Sequence, residues 1–167
     1  TANMSMGTTG VWSVGDGTGG DYSQDKWIHV AVCHDSTNLR MYIDGVQALT
    51  TSNNFHNSSS KKLTLMSTNN GSYSGLGIGF ISNFRVVNGT ALYTSNFTPP
   101  FAPLTNVTKT KLLCCQSNIS AITATVSPVT ITVTGNAAAN NFNPFNTDIN
   151  TVRGQETGYA TLNPLHR

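Results

Sequence analysis

Seven acidic side chains are the only carboxylates in this 167-residue chain that could act as a general acid together with a nucleophile or base. Hydrolysis of a glycosidic bond needs two such groups, roughly 5 to 10 Å apart. The only glutamate is Glu156, and the six aspartates are scattered so that no two pair on one candidate strand. We therefore expect no catalytic residues and no enzymatic activity.

Two further patterns are typical of metal or phosphate sites. His29 and Cys33 are four positions apart, which would suit zinc on a helix, but four residues of a strand span about 13 Å. Residues 15–20 match G-x-G-x-x-G, yet no helix follows them and Asp16 would repel an anion. We interpret His29 as a structural residue and the glycine-rich segment as a loop.

The three cysteines are Cys33, Cys114 and Cys115. Cys114 and Cys115 are adjacent in a strand-like run, so we expect their side chains to point to opposite faces and not to bond each other readily. The main interpretation is three free, largely buried thiols in a protein assembled in a cytoplasm, because no signal peptide opens the chain. The alternative is a disulfide between Cys33 and one of the other two.

The elements that must position any site are strands. In residues 26–45, KWIHVAVCHDSTNLRMYIDG, apolar side chains alternate with a period of two on both sides of a turn at residues 35–38. Arg40 and Tyr42 fall on the alternate positions of the second strand, and Asp44-Gly45 predicts a type I′ hairpin turn. The residues of the first strand expected to face the core are Ile28, Val30 and Val32.

Almost no segment of the chain has helical periodicity, and Gly, Asn and Ser clusters separate short apolar runs. This pattern predicts an all-β, antiparallel β-sandwich. The candidate strands are residues 3–5, 11–14, 27–33, 40–43, 62–66, 78–87, 111–116, 121–126 and 129–134.

Composition excludes several classes of partner. Only 10% of the residues are charged and the net charge is +2, so the chain has no electrostatic signature for nucleic acid or for an anionic membrane. Its longest apolar runs are a few residues long, which excludes insertion into a membrane. The length fits one domain with a sizeable core plus an extension.

Two segments carry a resemblance to a known family. Residues 27–32 (Trp-x-His-Val-Ala-Val), followed by Leu-Arg-Met-Tyr-Ile-Asp-Gly, resemble the central hairpin of laminin G-like domains in the concanavalin A-like jelly-roll group. Residues 81–100, ISNFRVVNGTALYTSNFTPP, resemble the closing strand and exit loop of laminin G-like modules in virion proteins of tailed phages. The resemblance implies a jelly-roll sandwich over residues 1–134 that lacks its first strands.

The resemblance also implies where ligands would bind. Jelly rolls recognise sugars in rim loops, where aromatic faces stack on sugar C–H groups and amides bond hydroxyls. Many related domains hold calcium at the rim with hard oxygen ligands. The candidate ligand-binding residues are Tyr22, Asn69, Asn70 and Tyr73. We expect no obligatory cofactor; for a calcium ion the candidate ligands are Asp16, Asp21 and Asp25, or else Asp35 with Asn38.

The last fifth of the chain changes character. Residues 135–167 are Asn-rich with few large apolar side chains, which predicts an extended C-terminal arm. The alternatives are a disordered linker and an arm that docks on a neighbouring subunit. In the docking hypothesis the apolar anchors are Phe142, Phe145, Tyr159 and Leu162.

Two classes of function follow from these observations. The first is a non-enzymatic virion structural protein, such as a tail fibre, head fibre or capsid decoration, assembled in the bacterial cytoplasm. Its partners would be other virion proteins, further copies of itself and host-surface glycans. The alternative is a carbohydrate-binding module of a secreted adhesin or polysaccharide-degrading enzyme.

Overall fold

The computed structural model describes residues 27–52, 63–66 and 79–145, together with the backbone of four two-residue strands. This part of the chain contains no helix, and thus none long and apolar enough to cross a bilayer. In chain order the strands are β1 (Met4–Ser5), β2 (Ser13–Val14), β3 (Val30–His34), β4 (Leu39–Ile43), β5 (Val46–Thr51), β6 (Thr68–Asn69), β7 (Tyr73–Ser74), β8 (Phe84–Val87), β9 (Thr110–Cys114) and β10 (Ala124–Val126).

One sheet consists of β3, β4 and β5 in that order, with antiparallel pairing throughout. Asp44 and Gly45 connect β4 to β5, and both have positive φ angles, 48° and 80°. Ile43 and Val46 pair directly across this two-residue loop. These are the features of a type I′ turn, so the turn predicted at Asp44-Gly45 is confirmed.

Strand β5 was not predicted, and a bulge explains why. Met41 pairs with Leu49 while Tyr42 pairs with Gln47, which leaves Ala48 as an extra residue without a partner on β4. A bulge of this kind shifts side chains from one face to the other and breaks the period of two. The run Val-Gln-Ala-Leu-Thr-Thr therefore shows no alternation that could reveal a strand.

The second sheet has the order β10-β9-β8, also antiparallel. Its strands overlap three predicted segments, residues 78–87, 111–116 and 121–126, and β9 begins one residue before its predicted segment. The two sheets confirm the predicted all-β, antiparallel sandwich. The strands predicted at residues 129–134 and 62–66 are wrong for the described residues, 129–134 and 63–66. Their β-branched side chains favour an extended backbone, but these residues lack the ladder of hydrogen bonds to a neighbouring strand.

Both faces of the β3–β4 hairpin are covered, which the alternation of residues did not predict. Tyr42 is fully buried, although it lies on the face opposite that of Met41. Ala31 is its direct partner on β3, so the two side chains share a face. The segment that follows β8 covers this face, with the rings of Tyr93 and Phe97 packed at 6.4 and 5.4 Å from the Tyr42 ring.

The other face of the hairpin carries the residues expected in the core. Met41 and Leu39 are buried there, whereas Ile28, Val30 and Val32 are half-buried. The buried apolar residues of the described chain come from both sheets and from both faces of the hairpin. They are Cys33, Leu39, Met41, Tyr42, Leu113 and Cys114.

The C-terminal segment is described as far as Phe145 and contains no strand between residues 135 and 145. Asn side chains organise its last described turns: Asn140 Oδ1 accepts the Phe142 N–H at 2.8 Å, and Asn143 Oδ1 accepts the Phe145 N–H at 2.9 Å. Such contacts hold a chain locally without burial of apolar surface. The boundary between residues 1–134 and 135–167 stays a prediction.

Candidate functional site

Three aromatic side chains from distant parts of the chain form one cluster. Trp27 precedes β3, Phe80 precedes β8, and Phe142 lies in the C-terminal segment. The ring centroids are 5.0 Å apart for Phe80 and Phe142, 5.3 Å for Trp27 and Phe142, and 6.5 Å for Trp27 and Phe80. The tilted and edge-to-face angles are those that aromatic quadrupoles favour.

This aromatic cluster is partly open to solvent. The Phe80 side chain is 56% exposed and that of Phe142 is 42% exposed, whereas Trp27 is half-buried. The Trp27 Nε1 atom is buried and makes no hydrogen bond within the described chain. Trp27 packs against both phenylalanines, and the exposed parts of the Phe80 and Phe142 rings can contact the C–H groups of a ligand.

The cluster was not among the candidate sites, because sequence separation hides it. No local period relates Trp27 to Phe80, and Phe142 was predicted as an anchor for a neighbouring subunit. In the structure Phe142 packs against its own chain, and Phe145 is half-buried. The role of both residues in subunit contacts stays a prediction. Tyr159 and Leu162 lie outside the described residues.

Two of the predicted ligand-binding residues come together. Asn69 in β6 and Tyr73 in β7 are direct partners across a short antiparallel pair. The pairing brings the backbone positions of these two residues side by side. Tyr22 and Asn70 lie outside the described residues, so their roles stay predictions.

Only some of the candidate calcium ligands lie in the described part of the chain. Asp16, Asp21 and Asp25 lie outside the described residues. Asp35, the alternative, accepts the N–H groups of Thr37 and Asn38 at 2.8 and 2.7 Å and forms an ion pair with Arg40. These contacts hold the pKa of its carboxyl group far below the usual range, first through the Arg40 hydrogen bond. The guanidinium thus provides the positive charge beside Asp35.

Asp44 also makes hydrogen bonds that hold the fold together. Its Oδ1 accepts the His29 N–H at 2.8 Å, and its own N–H donates to the His29 carbonyl oxygen at 2.8 Å. Asp35 and Asp44 lie at opposite ends of β4 and each contacts other partners. Asp35 and Asp44 therefore do not pair with each other.

His29 lies beneath the segment that follows β8. Its ring meets the Phe97 ring edge-on at 5.5 Å, and its Nδ1 atom is buried without a hydrogen-bond partner in the described chain. Burial lowers the pKa of the imidazole, with the positive charge of Arg85 acting in the same direction and Asp44 opposing it. This environment fits a neutral structural histidine. In the described part of the chain no three His, Cys, Asp or Glu side chains form a group that could hold a metal ion.

The three cysteines are free thiols in the structure. Burial raises the pKa of Cys33, while backbone hydrogen bonds from Tyr93 and Leu92 oppose this shift. The expectation that Cys114 and Cys115 point to opposite faces is wrong: their Sγ atoms are 3.7 Å apart. Strand β9 ends at Cys114, and Cys115 has a φ angle of 59°, so the alternation of a strand does not extend across the pair.

Comparison with known proteins gives one family. Residues 2–95, more than half of the chain, match the Laminin G 3 family model, which is described as the Concanavalin A-like lectin/glucanases superfamily. The matched region includes the β3–β5 sheet, β8 and Tyr93, and it ends two residues before Phe97. No curated protein and no solved structure gave a significant match.

Proposed function

Because the chain belongs to the concanavalin A-like lectin/glucanases superfamily, we propose that it binds carbohydrate and does not hydrolyse it. The fold is compatible with both activities in general, so the choice depends on the side chains. Binding requires an exposed apolar face with polar groups around it, whereas hydrolysis requires two poised carboxyl groups.

The observation that carries this proposal is the aromatic cluster of Trp27, Phe80 and Phe142. Sugar rings present faces of C–H groups that stack on aromatic side chains, and such a contact needs an exposed ring held in one orientation. Phe80 satisfies both requirements, since more than half of its side chain is accessible and two other rings fix its position. Asn69 and Tyr73, which pair in β6 and β7, stay a second candidate site predicted from the sequence.

The hydrogen bonds of Asp35 and Asp44 support the proposal that the protein does not hydrolyse carbohydrate. Each carboxylate accepts backbone N–H groups of the fold, and neither faces the other across a cleft. Incubation with β-glucans, alginate and chitin should release no reducing ends. Turnover that disappears on replacement of a single aspartate would overturn this part of the proposal.

A glycan array tests binding itself. The full chain is applied to the array, and a β-sandwich lectin of unrelated specificity serves as the reference. The proposal predicts selective retention on a subset of glycans. The array is repeated with a chelator, and retention should persist because no metal is required for ring stacking. Binding to none of the glycans on the array would contradict the proposed function. Loss of binding in the presence of the chelator would show that the ligand binds at a calcium ion and not on the aromatic cluster.

We further propose that this lectin-like domain belongs to a virion structural protein, a tail fibre, head fibre or capsid decoration. The support is the similarity of residues 81–100 to the exit loop of laminin G-like modules in phage virions and the three free thiols, which fit assembly in a reducing cytoplasm. Immunogold labelling of purified particles tests it directly. Labelled particles support a virion component, whereas protein found only in the culture medium, with an oxidised Cys33, would establish the secreted carbohydrate-binding module instead.

A further inference from the structure

Cys114 and Cys115 form a pair of neighbouring thiols whose geometry is not that of a strand. The two Sγ atoms are 3.7 Å apart, although consecutive residues of a strand direct their side chains to opposite faces. Cys115 is the first residue after β9 and has left-handed backbone geometry. This backbone turn accounts for the presence of both sulfur atoms on one side of the chain.

Hydrogen bonds at Cys115 and at the residue after it hold this geometry. The Cys115 carbonyl oxygen accepts the N–H of Asn83 at 2.9 Å. The next residue, Gln116, donates from Nε2 to Asn83 Oδ1 and to the Leu104 carbonyl oxygen, both at 2.8 Å, and its Oε1 accepts from the Thr125 hydroxyl at 3.0 Å. The fold therefore places the two thiols before any ligand arrives, which reduces the entropy cost of binding.

The distance between the two sulfur atoms matches that of two thiolates bound to one metal ion. Two thiolates bound at about 2.3 Å in a tetrahedral arrangement have sulfur atoms roughly 3.8 Å apart. Soft ions and trivalent metalloids prefer thiolate ligands over oxygen or nitrogen. We propose that Cys114 and Cys115 form a vicinal dithiol site that chelates a single thiophilic ion or metalloid, with its other coordination positions filled from solution.

Access to the site comes through Cys115. Cys114 is only 4% exposed, whereas Cys115 is half-buried and can meet a reagent first. Burial and the neighbouring thiol raise the pKa of Cys114 to about 12.

Phenylarsine oxide is the appropriate probe, because a single trivalent arsenic atom can bond to two adjacent thiols. In the reaction, two S–As bonds form and two S–H bonds break. The arsenic–oxygen bond also breaks, and the oxygen leaves as water with both protons. Arsenic stays trivalent and no oxidant is consumed. A bidentate adduct resists an excess of glutathione, a monothiol, but is reversed by a dithiol.

The experiment uses the reduced full chain, one equivalent of phenylarsine oxide and intact mass spectrometry in the presence of glutathione. We expect one adduct per chain, retained in the control variant Cys33→Ser, whose thiol is not part of the pair. Cys115→Ser and Cys114→Ser should lose the glutathione-resistant adduct. Cys115 is not fully buried, so Cys115→Ser keeps the test valid if Cys114→Ser fails to fold. Absence of the adduct in the wild type, or its retention in Cys115→Ser, would overturn the proposal.

Discussion

The carbonyl oxygen of Phe97 lies directly against Gly45, so close that a Cβ atom at position 45 has no space. The same two residues share a hydrogen bond, since the Phe97 N–H donates to the Gly45 carbonyl oxygen at 2.9 Å. Beside it, the Gln47 N–H donates to Asn96 Oδ1 at 2.9 Å. The β4–β5 turn and the segment after β8 therefore form one unit that links the two sheets.

This contact makes Gly45 necessary for two separate reasons. We predict that Gly45→Ala lowers the free energy of unfolding by at least about 3 kcal/mol, because strain at positive φ adds to a steric clash with backbone. Gly135→Ala is the matched control: Gly135 also has positive φ, 73°, but nothing lies within 4 Å of its added Cβ atom. Its cost should be about 1 kcal/mol. Equal losses in urea unfolding of the two variants would contradict a close approach at Gly45.

The burial of Tyr42 gives a prediction about the second face of the hairpin. Tyr42→Ala should destabilise the fold by about 3 to 5 kcal/mol, because it leaves a cavity beneath Tyr93 and Phe97. Tyr42→Phe keeps the ring and removes only a long hydrogen bond, 3.4 Å from the hydroxyl to the Tyr93 carbonyl oxygen. It should cost less than about 1 kcal/mol. If thermal unfolding showed no difference between these variants, the segment after β8 would not cover this face.

The pKa of His29 predicts a dependence of stability on pH. In the unfolded chain this histidine titrates near 6.5, and burial lowers its pKa in the folded protein. Its neutral form is therefore favoured by folding, so its contribution is complete above pH 6.5 and is lost as the pH falls below that value. Melting temperatures measured between pH 5 and 8 should fall less steeply on the acidic side for His29→Gln than for the wild type. Parallel curves would show that His29 titrates normally.

The C-terminal segment gives a prediction about assembly. Truncation after Thr134 should leave the sandwich folded but weaken association with other subunits, since an Asn-rich segment cannot bury enough apolar surface alone to offset its ordering entropy. Sedimentation velocity measures the change, and circular dichroism shows that the strands are retained. Phe142→Ala separates the local contact with Trp27 and Phe80 from the rest of the arm. An unchanged oligomeric state after truncation would show that the C-terminal segment is only a linker.

The parts of the fold that local chemistry determines could be predicted from the sequence. Asp44-Gly45 is one example, because those residue types favour positive φ, and the strands around it follow from the period of two. Strand β5 was missed because the bulge at Ala48 breaks that period. The burial of Tyr42 depends on Tyr93, 51 positions away, and the cluster of Trp27, Phe80 and Phe142 depends on still longer separations. No local pattern encodes such contacts.

The most direct test of the account is the affinity of Phe80→Ala for the glycan that the wild type retains most strongly, measured by isothermal titration calorimetry. Phe101→Ala is the matched control, because Phe101 is 94% exposed and belongs to no aromatic cluster described above. We predict that Phe80→Ala weakens binding about tenfold, the loss of one stacked ring, while Phe101→Ala binds as the wild type does. Wild-type affinity in Phe80→Ala would contradict the proposal that this aromatic cluster is the carbohydrate-binding surface.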